Sequence, residues 1–385
     1  MLRLENVSVI FGPSPLEALD LMDQGLDRAS IFESTGQVVG VGDASVDINE
    51  GEICVFMGLS GSGKSTLLRC INALCRPARG SVTIEDKNTA FDVGKCTEAE
   101  LRNIRRERIS MVFQDFGLLP WRTVRQNVAF ALEIRGVEKS QINGLVDDKL
   151  RLVELEKWAD SKISELSGGM QQRVGLARAL ATDADILLLD EPFSALDPII
   201  RRGLQDELLE LQSKLNKTIV FVTHDLDEAI RLGNKVVIMD QGKIVQVGKS
   251  EEIILKPAND YVKKFVSNIN PLNVFTAATV MTPLKELARP GKNTVEIDTH
   301  THVTLNEKND LIEAESHGTT IPILSEPADG DKANMSLLVR PAETTLQELL
   351  SRLNNPSSAI LICEDKHLLG VVRGSDVLKA LDAVN

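Results

Sequence analysis

The stretch GLSGSGKST, Gly58 to Thr66, follows the apolar run ICVFM and opens a segment with helical spacing. It fits G-x-x-x-x-G-K-[ST], and a strand before and a helix after is the context that pattern requires. The turn through Gly58, Leu59, Ser60, Gly61, Ser62 and Gly63 lets backbone N–H groups close around a β-phosphate, because glycine permits the tight turn and the close approach. Lys64 supplies a point charge to the β- and γ-phosphates, the Ser65 hydroxyl is a hard oxygen for Mg²⁺, and Thr66 completes the motif. A second run, ILLLDE (186–191), ends in two acids. At that strand end Asp190 can hold Mg²⁺ through its water shell, and Glu191, one residue on, is placed to polarise an attacking water. The apolar run TIVFVTHD (218–225) carries His224 to the end of another strand, where it would sense the γ-phosphate. In VFQDFGLLPWRTV (112–124), Gln114 follows a short strand and offers a neutral amide to Mg²⁺ or to the water. Phe116, Leu118, Leu119 and Trp121 come next in a Pro-containing loop, as core or as a docking surface for a partner. These groups suit hydrolysis of a nucleoside triphosphate.

One stretch is left over. LSGGMQQR, Leu166 to Arg173, places a serine and two glycines directly before a helical pattern. That is the sequence of an anion-binding helix start, in a chain that already has a phosphate loop.

The elements that must position these groups follow from periodicity. LENVSVIFG reads as a first strand, and Leu16, Leu19, Met22 and Leu26 recur at helical spacing, so residues 13–35 hold one or two short amphipathic helices. Alternating strands run from Val38 to Gly58. Helices are expected over Leu67–Leu74, over 97–108 and through most of 122–165. The runs ADILLLDEP and KTIVFVTHD have the composition of parallel strands buried on both faces. KVVIMDQGKIVQVG is an antiparallel hairpin, and a helical segment continues to about Asn268, where NINPLN marks a boundary. Strands alternating with helices imply an α/β domain. The tail changes character: it holds His300, His302, His317 and His367, a polar loop at 325–334, and an ending that reads helix, strand, turn, strand, helix. The H-x-H at 300 and 302 reads as a solvated pair.

Composition narrows the class. With 385 residues, two domains are the default. Forty-three Lys and Arg against 56 Asp and Glu give a net charge of −13, a poor balance for binding nucleic acid through its phosphates. No apolar run is long enough to span a bilayer and no signal peptide is evident, so the expectation is a cytosolic chain. The five cysteines show no C-x-x-C spacing and read as reduced, mostly buried thiols.

The phosphate loop, Gln114, LSGGMQQR, LLLDEP, SALD and His224 occur in the order and spacing of the ATP-binding cassette (ABC) ATPases. The chain resembles that family from residue 1 to about 268. The resemblance implies a P-loop ABC domain with a RecA-like core, a helical subdomain at 115–165 and an antiparallel β-subdomain. It implies that Ser167, Gly168, Gly169 and Gln171 form the signature motif, that Ser194–Asp197 is the D-loop with Asp197 near nucleotide, and that Phe11 stacks on adenine. The insertion at 13–40 is similar to that of glycine betaine/proline/choline importer ATPases, and FQDFGLLPWRTVRQNVAF and FVSNINPLNVFTA look closest to the choline-type subgroup. Residues 269–385 look like a smaller α+β regulatory domain of the cystathionine-β-synthase (CBS) type. LLGVVRGSDVLKAL matches its second half, and the first half is degenerate.

The likeness implies ATP and Mg²⁺ as ligands. It also implies a second copy joined head to tail, so that LSGGMQQR serves the partner's nucleotide. Transmembrane permease subunits would be direct partners, an extracytoplasmic substrate-binding protein an indirect one, and the location the cytoplasmic face of the inner membrane. A quaternary ammonium ion is held by aromatic faces. Aromatics are 4% of this chain, so substrate choice is expected to lie in other subunits. The rival reading is a soluble ABC ATPase of DNA repair or of the ribosome. Only 52 residues separate Gln114 from Leu166, too few for the coiled coil of the first, and a single ATPase unit argues against the second.

Overall fold

The computed structural model of the chain describes residues 1–86, 89–194, 196–267, 269–291, 293–325, 337–353 and 359–382. It contains two compact units, Met1–Ser250 and Glu251–Asn385. The packing boundary therefore precedes the sequence boundary expected at 268.

In the first unit, β1 (Leu2–Phe11) leads into α1 (Pro15–Asp23) and α2 (Arg28–Thr35), and β2 (Val38–Ile48) returns antiparallel to β1 with Phe11 opposite Val38. The inserted helices thus leave and rejoin the sheet at one point. Asp27 caps α2 by accepting from Ser30 N, and Gly36 at φ +68 ends it. β3 (Ile53–Met57) feeds α3 (Lys64–Ile71). This helix was expected at Leu67–Leu74. It starts three residues earlier because Gly63, at φ +99, turns the chain directly into it, and it stops when Ala73 turns left-handed. β4 (Arg79–Asp86) and β5 (Thr89–Asp92) complete a sheet of order β2-β1-β4-β5.

The chain continues through α4 (Glu98–Glu107), β6 (Ile109–Val112), α5 (Val124–Arg135), α6 (Lys139–Leu152), α7 (Gly168–Ala181), β7 (Ile186–Asp190), α8 (Pro198–Leu215), β8 (Thr218–Thr223), α9 (Leu226–Leu232), β9 (Lys235–Asp240) and β10 (Lys243–Gly248). The second sheet has order β10-β9-β3-β8-β7-β6 and is parallel except for β10. β3, β7 and β8 are buried along their whole length, as their unbroken apolar runs require. The β9–β10 turn has Gln241 and Gly242 both at positive φ, the geometry that suits a two-residue hairpin. Helices α5, α6 and α7 share a separate core that includes Val128, Val146, Leu150 and Val174.

The helical segment expected to run to about Asn268 is made of two helices, α10 (Ser250–Leu255) and α11 (Asp260–Val266). Pro257 cannot continue the first, and Asn259 caps the second. A short α12 (Ala277–Val280) and β11 (Thr282–Pro283) follow. The stretch HTHVTLNEKNDLIEAESHG, unassigned from sequence, belongs to an antiparallel meander of β12 (Thr294–Glu296), β13 (Thr301–Leu305), β14 (Leu311–Ser316) and β15 (Thr319–Ile321). β16 (Ile323–Leu324), β17 (Leu337–Arg340), α13 (Leu346–Arg352), β18 (Ala359–Glu364), β19 (His367–Arg373) and α14 (Gly374–Asp382) complete the unit, with sheet order β11-β19-β18-β17-β16. Both sheets share one core, with Val303 and Ala314 beside Leu361 and Val371. The polar loop expected at 325–334 lies, from 326 on, outside the described residues. The two histidines of H-x-H do not pair with each other. His300 stacks on His317 with ring centroids 4.4 Å apart, and His302 stands in register with Glu296 and Glu315.

Candidate nucleotide site

The carboxyl ends of β3, β7 and β8 meet at one edge of the parallel sheet, the place where open α/β sheets bind ligands. Each contributes a chemical group. After β3 the phosphate loop turns through Gly58, where any Cβ would collide with the Met239 carbonyl on β9, and Gly63, where it would come within 2.6 Å of Gly40 O. Ser62 O accepts from Gly242 N at 3.0 Å, and Ser62 N donates to Leu59 O at 3.2 Å. The loop is therefore held from below by the hairpin turn, while Leu59, Ser60 and Gly61 are exposed at its rim.

Lys64 is 5% exposed and donates to Gly58 O at 2.9 Å and Leu59 O at 3.0 Å. Burial pushes its ammonium below the usual lysine range, with the Glu191 and Asp190 carboxylates pulling the other way. An ammonium whose hydrogen bonds among the described residues go to two carbonyls is not neutralised by them and is matched to an anion. Ser65 Oγ donates to Asp190 Oδ1 at 2.7 Å, and Arg69 Nη2 donates to Asp190 Oδ2 at 3.0 Å. Asp190 is fully buried, so both carboxylate oxygens need these partners. Arg69 was missed from sequence. The available signal was its place one helical turn after Ser65.

The oxygen set of Ser65 and Asp190 fits Mg²⁺. Among the described residues no group of three or more His, Cys, Asp or Glu side chains could hold a metal ion. A hard cation that keeps waters and takes phosphate oxygens needs no such cage.

Glu191 follows β7 with φ +49, a left-handed conformation that costs a non-glycine residue energy and clusters at functional sites. Its N–H donates to Val222 O at 3.1 Å, which fixes the turn against β8. His224 Nδ1 lies 3.4 Å from Glu191 Oε2. The loop carrying His224 is pinned on both sides, since Thr223 Oγ1 accepts from Asp225 N and donates to Glu228 Oε2 at 2.7 Å. Burial holds the Glu228 carboxyl above the usual carboxylate range, opposed by the Thr223 hydrogen bond. Arg201 on α8 reaches Asp225 at 3.0 Å and Leu196 O at 3.1 Å. That ties the loop of His224 to the segment ending in Asp197, whose carboxylate caps α8 by accepting from Ile199 N and Ile200 N. Ala195 lies outside the described residues.

Phe11, despite the insertion after it, reaches the loop. Its ring lies over Gly40, where a Cβ would meet both the ring and Thr66 Cγ2, and it stays half exposed. Gln114 is exposed two residues beyond Val112, which pairs with Leu189, so it sits at the same sheet end as Asp190.

The signature segment is arranged differently. Ser167 Oγ accepts from Met170 N at 3.4 Å and caps α7. Gln171 donates to Ile163 O at 3.2 Å and Leu166 O at 3.1 Å. These bonds stay within 163–171. A Cβ on Gly168 would meet nothing within 4 Å, and one on Gly169 would touch Leu196 and Ile200. The helix start is presented bare and outward. Further along α7, Arg178 donates to Phe116 O and to Gly117 O at 2.7 Å, so the segment after Gln114 is latched to the signature helix. Asn127 is fully buried and braces the same loop, accepting from Leu119 N and donating to Thr123 O. Sequence reasoning missed both braces. Within this loop Trp121 is 70% exposed, whereas Leu118 packs on the helical core.

Comparison with known proteins agrees with this geometry. Residues 41–194 match the family described as "ABC transporter", and residues 341–383 match "CBS domain". The chain is 43% identical over 393 residues to the glycine betaine/proline betaine transport system ATP-binding protein ProV of Escherichia coli, covering 99% of this chain and 97% of that protein. This chain belongs to the ATP-binding subunits of ABC transporters. It is an ATPase coupled to transport, with ATP and Mg²⁺ as its ligands. Other relatives of this ABC ATPase are the glycine betaine/carnitine transport ATP-binding protein GbuA of Listeria monocytogenes (40% identity, 99% of this chain and 97% of that one) and the trimethylamine N-oxide transport system ATP-binding protein TmoW of Ruegeria pomeroyi (41%, 84% and 94%). Among solved structures, the dimeric post-hydrolysis cassette MJ0796 bound to ADP and Pi superposes with a TM-score of 0.55 at 31% identity, over 65% of this chain and 99% of that one.

Proposed function

We propose that this subunit energises import of a quaternary ammonium compound or related osmolyte through a membrane permease. Candidate substrates are glycine betaine, proline betaine, carnitine, choline and trimethylamine N-oxide. The names of its relatives support that class. Among the described residues no helix is long and apolar enough to cross a membrane, which supports a peripheral subunit docked on a permease at the cytoplasmic face. The exposed Trp121 on its braced loop is a suitable contact for that permease. An extracytoplasmic receptor would deliver substrate without touching this chain, and nucleic acid has no role.

The observation that carries the mechanism is the outward-facing signature helix. In this reading two copies bind head to tail. Gly58–Thr66 of one copy encloses the phosphates, Lys64 neutralises them, and Phe11 stacks on the adenine. Ser167, Gly168 and Gly169 of the other copy meet the γ-phosphate with their free N–H groups, Gln171 holds that turn in shape, and Asp197 lies at the junction. Mg²⁺, when bound by Ser65 and Asp190 with Gln114 nearby, lowers the charge repulsion at the phosphates. Glu191 orients the attacking water and accepts its proton. His224 bonds the γ-phosphate and keeps the Glu191 side chain in place. Closure is favoured only by ATP, because only the γ-phosphate bridges both copies. Residues 1–268 form the motor, and 269–385 form a regulatory CBS-type unit whose first half is replaced by the β12–β15 meander.

The test is uptake by proteoliposomes holding the full transporter, its receptor and ATP. Uptake of a labelled quaternary amine should require ATP and vanish with Glu191→Gln. ATP hydrolysis that no quaternary amine stimulates would contradict the substrate class.

A further inference from the structure

The helical insertion touches the phosphate loop. Arg28, the first residue of α2, donates from Nη1 to Gly61 O at 3.2 Å. Gly61 is at the exposed rim of the loop, with φ +77, one residue before the Ser62 that the hairpin turn holds. The helix does not explain this arginine. A cation in the first turn opposes the helix dipole, and Asp27 already caps α2. Its hydrogen bond goes to a loop carbonyl rather than to a carboxylate.

The platform behind Arg28 is rigid. Ala18, Ile31 and Val39 form a small core with Ile10, Leu21, Met22 and Leu26, which joins both inserted helices to β1 and β2. Arg79 on β4 donates from Nη1 to both oxygens of Asp23 at the end of α1, at 2.8 and 2.9 Å, and from Nη2 to Asp43 at 2.6 Å. Arg28 is thus the tip of a braced element, bonded to the rim of the loop at Gly61.

We propose that Arg28 is a positioning residue of the nucleotide site, through which docking of the insertion and occupancy of the phosphate loop favour each other. Two effects act together. A glycine-rich loop loses much conformational entropy when it closes on phosphate, and a bond to Gly61 O removes part of that freedom beforehand. A guanidinium on this carbonyl also polarises the Gly61–Ser62 peptide, strengthening the Ser62 N–H bond to Leu59 O that shapes the loop, and adds positive charge near a polyanion. The contact is to the loop and not to the γ-phosphate, so ATP and ADP gain alike. By reciprocity, either nucleotide steadies the insertion.

The inference rests on nucleotide binding at this loop, which Lys64→Ala checks separately by losing affinity altogether. The experiment measures binding of Mg-ATP and Mg-ADP to the full chain, with steady-state hydrolysis. Arg28→Met keeps the stem and removes the cation. It should weaken ATP and ADP by the same factor, roughly threefold to tenfold, with KM raised more than kcat is lowered. In hydrogen exchange, ATP should protect amides of α1 and α2 in the parent and less so in Arg28→Met. Parent-like affinity for both nucleotides overturns the proposal, and so does a loss confined to ATP. If Arg28→Met lowers the melting temperature of the nucleotide-free chain, Arg28→Lys decides. Recovery of most of the affinity supports a positioning cation, and no recovery overturns it.

Discussion

Gly58–Thr66 and Ser167–Gln171 are both glycine-rich turns that open a helix, and the proposed mechanism gives both a phosphate to hold. Their surroundings differ. Two of the three glycines of the first are enforced by their neighbours: the Met239 carbonyl blocks a side chain at Gly58, and Gly40 blocks one at Gly63, while Gly61 has open space around it and is favoured by its φ of +77. Two of its side chains already have partners in this chain, Lys64 on loop carbonyls and Ser65 on Asp190, while the buried Ser62 hydroxyl is left without one among the described residues. At Gly168 there is open space where a Cβ would be, and Ser167 and Gln171 bond only to their own turn. Among the described residues nothing requires a glycine at 168. A site wired through Lys64 and Ser65 and a site that is bare teach the same lesson when taken together. In the proposed mechanism the first holds its own copy's phosphates, and the second serves phosphates held by another copy.

The two regions should therefore fail in different ways. Glu191→Gln should lower hydrolysis by about 10²–10⁴-fold while ATP still binds and copies still pair. Ser167→Arg should lower hydrolysis as far, but by preventing pairing, with ATP affinity of the lone chain unchanged. Equilibrium binding and light scattering with ATP separate the two. A weaker ATP affinity in lone Ser167→Arg chains would break the comparison.

The wired region was legible in the sequence because its logic is local. A strand, a glycine turn and a helix are contiguous, and Asp190, Glu191 and His224 each stand at the end of an unbroken apolar run. The bare region was legible only as an oddity, a second phosphate motif with no function within one chain. What sequence did not reveal are contacts between distant segments. Arg69 on Asp190, Arg178 on Gly117 and Arg28 on Gly61 join segments far apart in the chain, and of these only Arg69, one helical turn after Ser65, carried a local signal. The start of α3 was misplaced because the left-handed Gly63 begins the helix before the apolar pattern does. The β12–β15 meander escaped notice because its strands are three to six residues long, and β14 and β15 bury only Ala314. Too little alternation is present there to distinguish strands from loop.

A smaller effect concerns the support beneath His224. The Glu228 carboxyl is held above its ordinary range, mainly by burial. Its contribution to stability is complete below the ordinary carboxylate range and is lost as pH rises through the raised value. Glu228→Gln keeps an acceptor for Thr223 and removes the ionisation. Its melting temperature should exceed the parent's modestly near pH 8 and converge with it near pH 4. A difference independent of pH would show that the carboxylate is not held in this way.

The central claim, that the bare helix start serves another copy's phosphate loop, is tested most directly by cross-linking. Chains carrying Ser60→Cys are mixed with chains carrying Gly168→Cys, both with Glu191→Gln to keep ATP intact. The account predicts a disulfide-linked pair that forms with ATP, is absent without it, and is absent when neither cysteine is introduced. No linked pair in the presence of ATP, or a disulfide formed within one chain carrying both cysteines, would contradict it.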